Sequence, residues 1–220
     1  MTASPDRWLP LFPLELVLLP GAAVPLHIFE PRYRAMAARC QQEPTPFALV
    51  RIDAGHIRQV ACEAAIELVL QRYPDGRLDI LVRGGERVAI QAVREHADGY
   101  LEGLAGRVGD LEEAEDAPAR ETLLHLYGEV RRLAGEDETP GPGGEGEPMA
   151  VPLGGPGYTF ALAAGLPLDL DTRQGLLETV SERERERMLI RALAARIPAA
   201  RQLGEQRRSS KGNGKPTPAA

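Results

Sequence analysis

Lysine is almost absent from this chain of 220 residues. The sequence holds only Lys211 and Lys215, both in a polar stretch close to its end. A Walker A loop requires lysine in the pattern GxxxxGK[ST], and a Ser–Lys dyad requires a lysine held in a rigid site. The single Gly-Lys pair, Gly214-Lys215, is followed by Pro216. The composition therefore excludes ATP hydrolysis by a P-loop and argues against a Ser–Lys peptidase.

Serine, histidine and cysteine are also scarce, and none of them forms a catalytic or metal-binding pattern. The four serines and four histidines are Ser4, Ser181, Ser209, Ser210, His27, His56, His96 and His125. GxSxG and HExxH are both missing, so neither a nucleophile elbow nor a zincin helix is predicted. Cys40 and Cys62 form no CxxC pair and are expected to be reduced cytosolic thiols. The sequence predicts a protein that is not an enzyme and has no metal or cofactor.

Aromatic residues and positive charge are low in the body of the chain. Phe, Trp and Tyr make up 5% of residues, and the net charge is −6. Residues 196–220 carry six basic groups and one acidic group, so the rest of the chain has a net charge of −11. A negative body repels phosphate backbones, and few rings are available for base stacking. We therefore expect no general nucleic-acid binding.

The apolar stretch from Trp8 to Ile28 is not expected to be a signal peptide or a membrane span. It contains Glu15 and four prolines that break a helix, at positions 10, 13, 20 and 25. The prediction is a cytoplasmic protein with no membrane partner.

An apolar period of two dominates residues 9–108. It predicts six or seven strands over 9–19, 24–29, 47–52, 58–72, 78–92 (with a turn at Gly84-Gly85) and 100–108. Alternation is strongest in 58–72, where the apolar even positions are expected to face the core: Val60, Cys62, Ala64, Ile66, Leu68 and Leu70. Pro31 suits a first helical position and predicts a helix to about Gln42. These patterns predict a small closed or nearly closed barrel over 1–114 with one early helix.

After Asp110 the apolar period changes to 3.6, which predicts helices. The predicted organisation is a helical subdomain over 115–200, interrupted by a flexible acidic Gly/Pro loop at about 135–157. Residues 201–220 are polar and basic and are expected to be a disordered tail. The fold class is therefore α+β, a β pseudo-barrel followed by a helical bundle.

Several sequence runs resemble the Lon protease N-terminal domain family over roughly residues 9–197. The opening signature is carried by Leu9-Pro10-Leu11-Phe12-Pro13-Leu14, Val17-Leu18-Leu19-Pro20-Gly21 and Pro25-Leu26-His27-Ile28-Phe29-Glu30-Pro31-Arg32-Tyr33. Weaker matches are Asp75-Gly76-Arg77, Gly85-x-Arg87-Val88, Gly103 and the helical Gln174-x-Leu176-Leu177-Glu178. The resemblance implies a PUA-like fold for the β part. Lon proteases continue into an ATPase and a Ser–Lys peptidase, so this chain resembles the family's stand-alone substrate-binding proteins.

The resemblance implies a non-enzymatic module that binds unfolded polypeptides or a protein partner. Strand addition is one route, with the first strand and residues 26–33 as walls. Glu30, Arg32 and Tyr33 are candidate contacts, although the same residues could simply open a helix. Arg83 and Arg87, which flank the expected Gly84-Gly85 turn, are further candidates. RNA binding is the alternative, since PUA-like barrels of other families read RNA, a fold analogy only. The oligomeric state is not predicted.

Overall fold

A computed structural model describes residues 6–134 and 157–212 of the chain. The strands are β1 (Arg7–Leu14), β2 (Ala23–Ile28), β3 (Phe47–Asp53), β4 (His56–Ile57), β5 (Val60–Arg72), β6 (Leu78–Glu95) and β7 (Leu101–Arg107). The helices are α1 (Pro31–Gln42), α2 (Ala117–Ala134), α3 (Tyr158–Ala164), α4 (Leu170–Glu178) and α5 (Glu182–Gly212). The expected strand and helix segments are present, and β4 is an additional short strand that the periodicity did not predict.

Five strands close into a ring. They follow the order β1-β7-β6-β5-β3, and β3 returns to β1 through a parallel pairing that aligns Leu11 with Ala48 and Leu14 with Arg51. The ring encloses a cluster of small and branched apolar side chains: Leu9, Leu11, Ala48, Val50, Ala61, Val88, Ile90 and Ala105. The expectation of a small closed pseudo-barrel followed by helices is therefore confirmed.

Beyond the ring, β2, β5 and β6 form a three-stranded arm made of residues 23–28, 65–72 and 78–83. A register shift between Cys62 and Ala64 marks the point where β5 leaves the ring. Leu68 and Leu70 are 55% and 51% exposed, so the prediction that they face the core was wrong. A register shift between Ile66 and Leu68 reverses the alternation, so that Val69 lies opposite the buried Ile80 and Leu68 lies on the exposed face.

The Gly84-Gly85 pair lies inside β6 and does not form the expected turn. A Cβ atom on Gly84 would lie 2.2 Å from the carbonyl oxygen of Leu19, in the buried segment between β1 and β2. The glycine is thus required by a close approach of two backbones rather than by a turn.

The chain divides into two compact units, and this division differs from the predicted one. Their described parts are residues 6–112 with 157–182, and residues 113–134 with 183–212. The expected boundary at 114 is close, but α3 and α4 belong to the unit of the barrel. Side-chain hydrogen bonds hold α4 there: Arg51 Nη1 donates to the Leu170 carbonyl at 3.0 Å, and Gln174 Nε2 donates to the Val60 carbonyl at 2.9 Å.

Helix α4 begins at a side-chain cap. Asp169 has extended backbone angles, and its Oδ1 accepts a hydrogen bond of 2.7 Å from the Thr172 amide. This satisfies one of the amides that a helix start leaves unpaired. Hydrogen bonding from Thr172 keeps the pKa of Asp169 below its ordinary value.

The second unit contains α2 and α5. Arg201 Nη2 donates to Glu129 Oε1 at 2.6 Å, which links the two helices. Helix α5 continues through Pro198 to Gly212, so residues 201–212 differ from the disordered tail that the sequence predicts. Residues 213–220 and residues 135–156, which make up nearly all of the predicted acidic loop, lie outside the described residues.

Candidate functional site

A pocket of about 440 Å³ opens in the barrel unit where β1 and β2 end and α1 begins. Most of its walls are apolar, and four side chains among them are charged or titratable. The lining residues are Phe12, Pro13, Leu14, His27, Ile28, Phe29, Glu30, Arg32, Tyr33, Ile52, Gly55, Ile57 and Leu101. Pockets that are mainly apolar, with a few convergent polar groups, are typical binding sites.

Three predicted site residues, Glu30, Arg32 and Tyr33, meet at one end of this pocket. Glu30 occupies the N-cap position of α1, but its side chain makes no cap hydrogen bond. Its carboxylate accepts from Arg32 instead, at 2.9 Å from Nε and 2.7 Å from Nη2. The Arg32 guanidinium lies 4.7 Å from the centre of the Tyr33 ring. This arrangement places a compensated ion pair at the mouth of an apolar pocket.

Aromatic rings line the inner part and the rim of the pocket. Tyr33 is buried, and its ring centre lies 4.5 Å from that of Phe12. Burial raises the pKa of the Tyr33 hydroxyl, so this group stays neutral in the physiological range. Phe29, by contrast, is 59% exposed at the rim. A large exposed ring beside a pocket is a surface on which an apolar side chain of a partner can pack.

The opposite rim comes from the tight hairpin of β3 and β4. Asp53 pairs with His56, so the loop has two residues, Ala54 and Gly55, with φ of +47° and +80°. Positive φ at both positions is the signature of a type I′ turn, whose twist matches that of the flanking strands. This geometry places Gly55 in the pocket wall.

A hydrogen-bonded cluster joins the pocket to the arm. His27 Nδ1 lies 2.5 Å from Asp79 Oδ1, and the Tyr73 hydroxyl donates to Asp79 Oδ2 at 2.7 Å. These hydrogen bonds, that of His27 first, lower the pKa of Asp79, which therefore stays ionised near neutral pH. The His27 ring also stacks against Phe29, with 5.9 Å between the ring centres. No sequence pattern pairs His27 with Asp79, since they meet through the β2–β6 register.

The other two predicted site residues, Arg83 and Arg87, are not among the residues that line the pocket. Arg83 lies half-exposed on the arm and donates to Glu67 at 2.9 Å. Arg87 is buried, with a side chain only 4% exposed, and contacts the carbonyls of Leu177 and Thr179 and the carboxylate of Asp110. The structure contradicts the expectation that Arg87 projects toward a ligand, because no turn brings it to the surface.

The outer face of the arm carries an apolar row that the sequence did not predict. Pro25, Leu81 and Leu68 are directly opposite one another on β2, β6 and β5, and so share a face. Pro25 and Leu68 are exposed, and Leu81 is partly exposed. Ion pairs flank the row, Arg83 with Glu67 on one side and His27 with Asp79 on the other. An exposed apolar strip with polar borders resembles the core and rim of an interaction surface.

Comparison with known families agrees with this architecture. The family model described as the ATP-dependent protease La (LON) substrate-binding domain matches residues 8–195. The chain belongs to this family. The match is to the Lon substrate-binding domain and not to an ATPase or peptidase module.

Two solved structures show the same Lon N-terminal fold. A Lon N-terminal domain protein from Xanthomonas campestris is 26% identical, with a TM-score of 0.61, and the match covers 86% of this chain and 98% of that one. The N-terminal domain of a Mycobacterium avium complex Lon protease is 21% identical, with a TM-score of 0.64 and the same coverage. The second likeness, at this identity, concerns the fold alone.

Two features are absent from the residues that the structure describes. Within residues 6–134 and 157–212, no helix has both the length and the apolar character needed to cross a membrane. In the same part of the chain, no group of three or more His, Cys, Asp or Glu side chains is placed to hold a metal ion.

Proposed function

We propose that this protein binds non-native polypeptide segments, without chemical change to them, in the pocket between β1, β2 and α1. The observation that carries the proposal is an apolar pocket of about 440 Å³ with Phe29 exposed at its rim. A folded protein hides its large apolar side chains, whereas an unfolded chain offers them. Burial of one such side chain contributes about 1.5–3 kcal/mol, enough to favour unfolded over native partners.

The edge of β2 supports an extended binding mode. The Gly84 amide donates to the Ala22 carbonyl, so the antiparallel alternation directs the backbone groups of Ala23, Pro25 and His27 away from β6. Pro25 fits this assignment because it has no amide hydrogen to give to β6. β2 has no second neighbour among the described strands. An added strand from a partner would find backbone donors and acceptors there, next to the pocket.

The apolar row on the arm extends the same surface. Its members Pro25, Leu81 and Leu68 span two strand spacings, or about 10 Å. Pro25 lies two residues along β2 from the pocket-lining His27, or about 7 Å, so a polypeptide anchored in the pocket would reach this row with two or three further residues. The pocket and the row together suit a segment with two separated apolar side chains.

Glu30, Arg32 and Tyr33 remain the proposed contacts, each with a distinct role. Tyr33 supplies an apolar wall, while Glu30 and Arg32 offer an acceptor and donors to the backbone of the bound segment. The family description, a substrate-binding domain of an ATP-dependent protease, supports a polypeptide as the partner. Nothing in the comparisons supports the RNA-binding alternative.

The proposal is tested by titration of a dye-labelled, reduced and carboxymethylated protein that cannot fold, followed by fluorescence anisotropy. The variant Phe29→Ser removes the exposed ring and is expected to weaken binding about tenfold or more. Leu111→Ser is the matched control because Leu111 is 56% exposed, close to the 59% of Phe29, and does not line the pocket. It is expected to bind like the wild type.

Two results would oppose the proposal. One is no binding of the unfolded protein above the background set by its native form, with circular dichroism showing that the fold is intact. The other is an equal loss in Phe29→Ser and Leu111→Ser. Tight, salt-sensitive binding of single-stranded RNA in place of the unfolded protein would favour the alternative.

A further inference from the structure

The hydrogen bond to Asp79 fixes which nitrogen of His27 faces a bound segment. A carboxylate can only accept, so His27 Nδ1 must carry the hydrogen that bridges the 2.5 Å to Asp79 Oδ1. Nε2 makes no hydrogen bond to any described residue, the His27 side chain is 43% exposed, and the residue lines the pocket. Nε2 is therefore the atom of this cluster that is available to a ligand.

The charge state of His27 decides what this atom can bind. With Nδ1–H held by Asp79, a neutral ring presents Nε2 as an acceptor, which suits an amide N–H. A protonated ring presents Nε2–H as a charged donor, which suits a carbonyl and, more strongly, a carboxylate. Protonation therefore reverses the hydrogen-bonding preference at the pocket wall without breaking the bond to Asp79.

Neighbouring charges on the pocket side also make the pocket more favourable to a carboxylate once His27 is protonated. Asp79 from β6 is the partner of His27, and Glu30 and Arg32 at the start of α1 neutralise each other at 2.7 Å. These groups together carry one net negative charge while His27 is neutral, and none once it is protonated. A carboxylate on the ligand is repelled in the first state and not in the second.

The turn between β5 and β6 supplies the remaining groups around the cluster. Tyr73 donates its hydroxyl hydrogen to Asp79 and packs edge-on to the His27 ring, with 5.9 Å between the centres. Arg77 pairs with Asp75 at 2.7 Å, so that these two charges compensate each other. The turn therefore adds no net charge to the surroundings of the His27–Asp79 pair.

We propose that the Asp79-held imidazole of His27 makes the pocket select polypeptide segments that carry a carboxylate next to their apolar anchor, more strongly when the ring is protonated than when it is neutral. This inference rests on the proposed polypeptide-binding function and adds a substrate class and a pH response to it. His27 is the contact residue, and Asp79 is a positioning residue that holds the ring.

The test uses two ten-residue unstructured peptides with one central phenylalanine and a dye insensitive to pH. One peptide has glutamate and the other glutamine two positions from the phenylalanine. The glutamate peptide is expected to bind the wild type about five- to tenfold tighter at pH 5.5 than at pH 7.5, and the glutamine peptide with less than a twofold change. His27→Gln is expected to bind both peptides with no pH response. His125→Gln, which alters an exposed histidine on α2 outside the pocket lining, is expected to retain the response.

A variant of Asp79 and a nuclear magnetic resonance spectrum test whether Asp79 positions the His27 ring. Asp79→Asn is expected to keep binding of the glutamine peptide while the pH response of the glutamate peptide falls. Long-range nitrogen–proton correlation spectra are expected to show the Nδ1–H form of neutral His27 in the wild type and a mixture of forms in this variant. The other tautomer in the wild type would overturn the inference.

The outcomes distinguish failure of this inference from failure of the proposed polypeptide-binding function. Binding of both peptides with equal pH responses, or a response that survives in His27→Gln, overturns the inference and leaves polypeptide binding in place. Failure of both peptides to bind at either pH, with the protein folded, overturns both.

Discussion

Replacement of Arg87 by methionine is expected to destabilise the barrel unit severely. The guanidinium donates to the Leu177 carbonyl at 3.0 Å and to the Thr179 carbonyl at 2.8 Å, and it also pairs with Asp110. Methionine retains much of the apolar stem but none of the five donors. The variant therefore removes the polar link between β6 and the end of α4 while it keeps most of the packing.

The loss of stability in Arg87→Met follows from the acceptor groups that the replacement leaves without their donor. Hydrogen bonds to a charged group contribute about 1.5–3 kcal/mol each, and loss of one partner of a buried pair costs about 3–5 kcal/mol. Asp110 is 25% exposed and regains some hydration, so the expected loss for Arg87→Met is about 3–4 kcal/mol. Arg83→Met, on the same strand, removes a pair that is 46% and 35% exposed, for which at most about 1 kcal/mol is expected.

Urea unfolding followed by tryptophan fluorescence measures both variants. The chain has one tryptophan, Trp8, and it lies on β1, so the signal reports on the barrel unit. A loss below about 1 kcal/mol for Arg87→Met, or an equal loss in Arg83→Met, would refute the reasoning that Arg87 is a structural anchor. At urea concentrations where it stays folded, Arg87→Met is expected to bind unfolded protein like the wild type, since Arg87 does not line the pocket.

Three further predictions concern other parts of the barrel unit. Gly84→Ala is expected to cost about 3 kcal/mol or more by urea unfolding, because the new methyl would overlap the backbone beside β6, while Gly109→Ala, which has open space, changes stability by less than about 0.5 kcal/mol. Asp169→Ala is expected to cost about 1 kcal/mol at pH 7. The folded-state pKa of Asp169 is lowered, so its stabilising effect is complete above the unfolded-state pKa and disappears as pH falls through the folded one; the difference between wild type and variant should shrink from about pH 5 downward. Burial raises the pKa of Cys62 to about 12, so this thiol is expected to resist a thiol reagent at pH 8 until urea unfolds the protein; labelling of the native protein at the unfolded rate would contradict this.

Much of the architecture is predictable because local patterns and tertiary structure agree. Pro31 begins a helix where its missing amide hydrogen is harmless, and the period-two runs become the strands of the barrel. The boundaries shift, as at β1, which ends at Leu14 although the apolar run continues to Leu19. Buried segments without regular structure share the composition of strands, so periodicity alone does not separate them.

The candidate site is less predictable, since closure of the barrel brings its walls together. The sequence suggests a cluster of Glu30, Arg32 and Tyr33 because these residues lie close together along the chain. No local pattern links Ile52 or Leu101 to them. The burial of Arg87 on β6 was missed for a related reason. A Gly-Gly pair usually indicates a turn, and only the path of a distant backbone segment shows that Gly84 instead allows close packing.

The parallel contact between β1 and β3 has a consequence for biosynthesis. β1 emerges from the ribosome before β7, so Arg7 gains its antiparallel neighbour only after Ala105 has been synthesised. Until then the nascent barrel is an open sheet held by β3, with apolar residues that a closed ring would hide. Such late long-range pairing slows folding and prolongs exposure to chaperones. A protein proposed to capture unfolded chains would thus itself expose, before its barrel closes, the kind of apolar surface that it is proposed to bind.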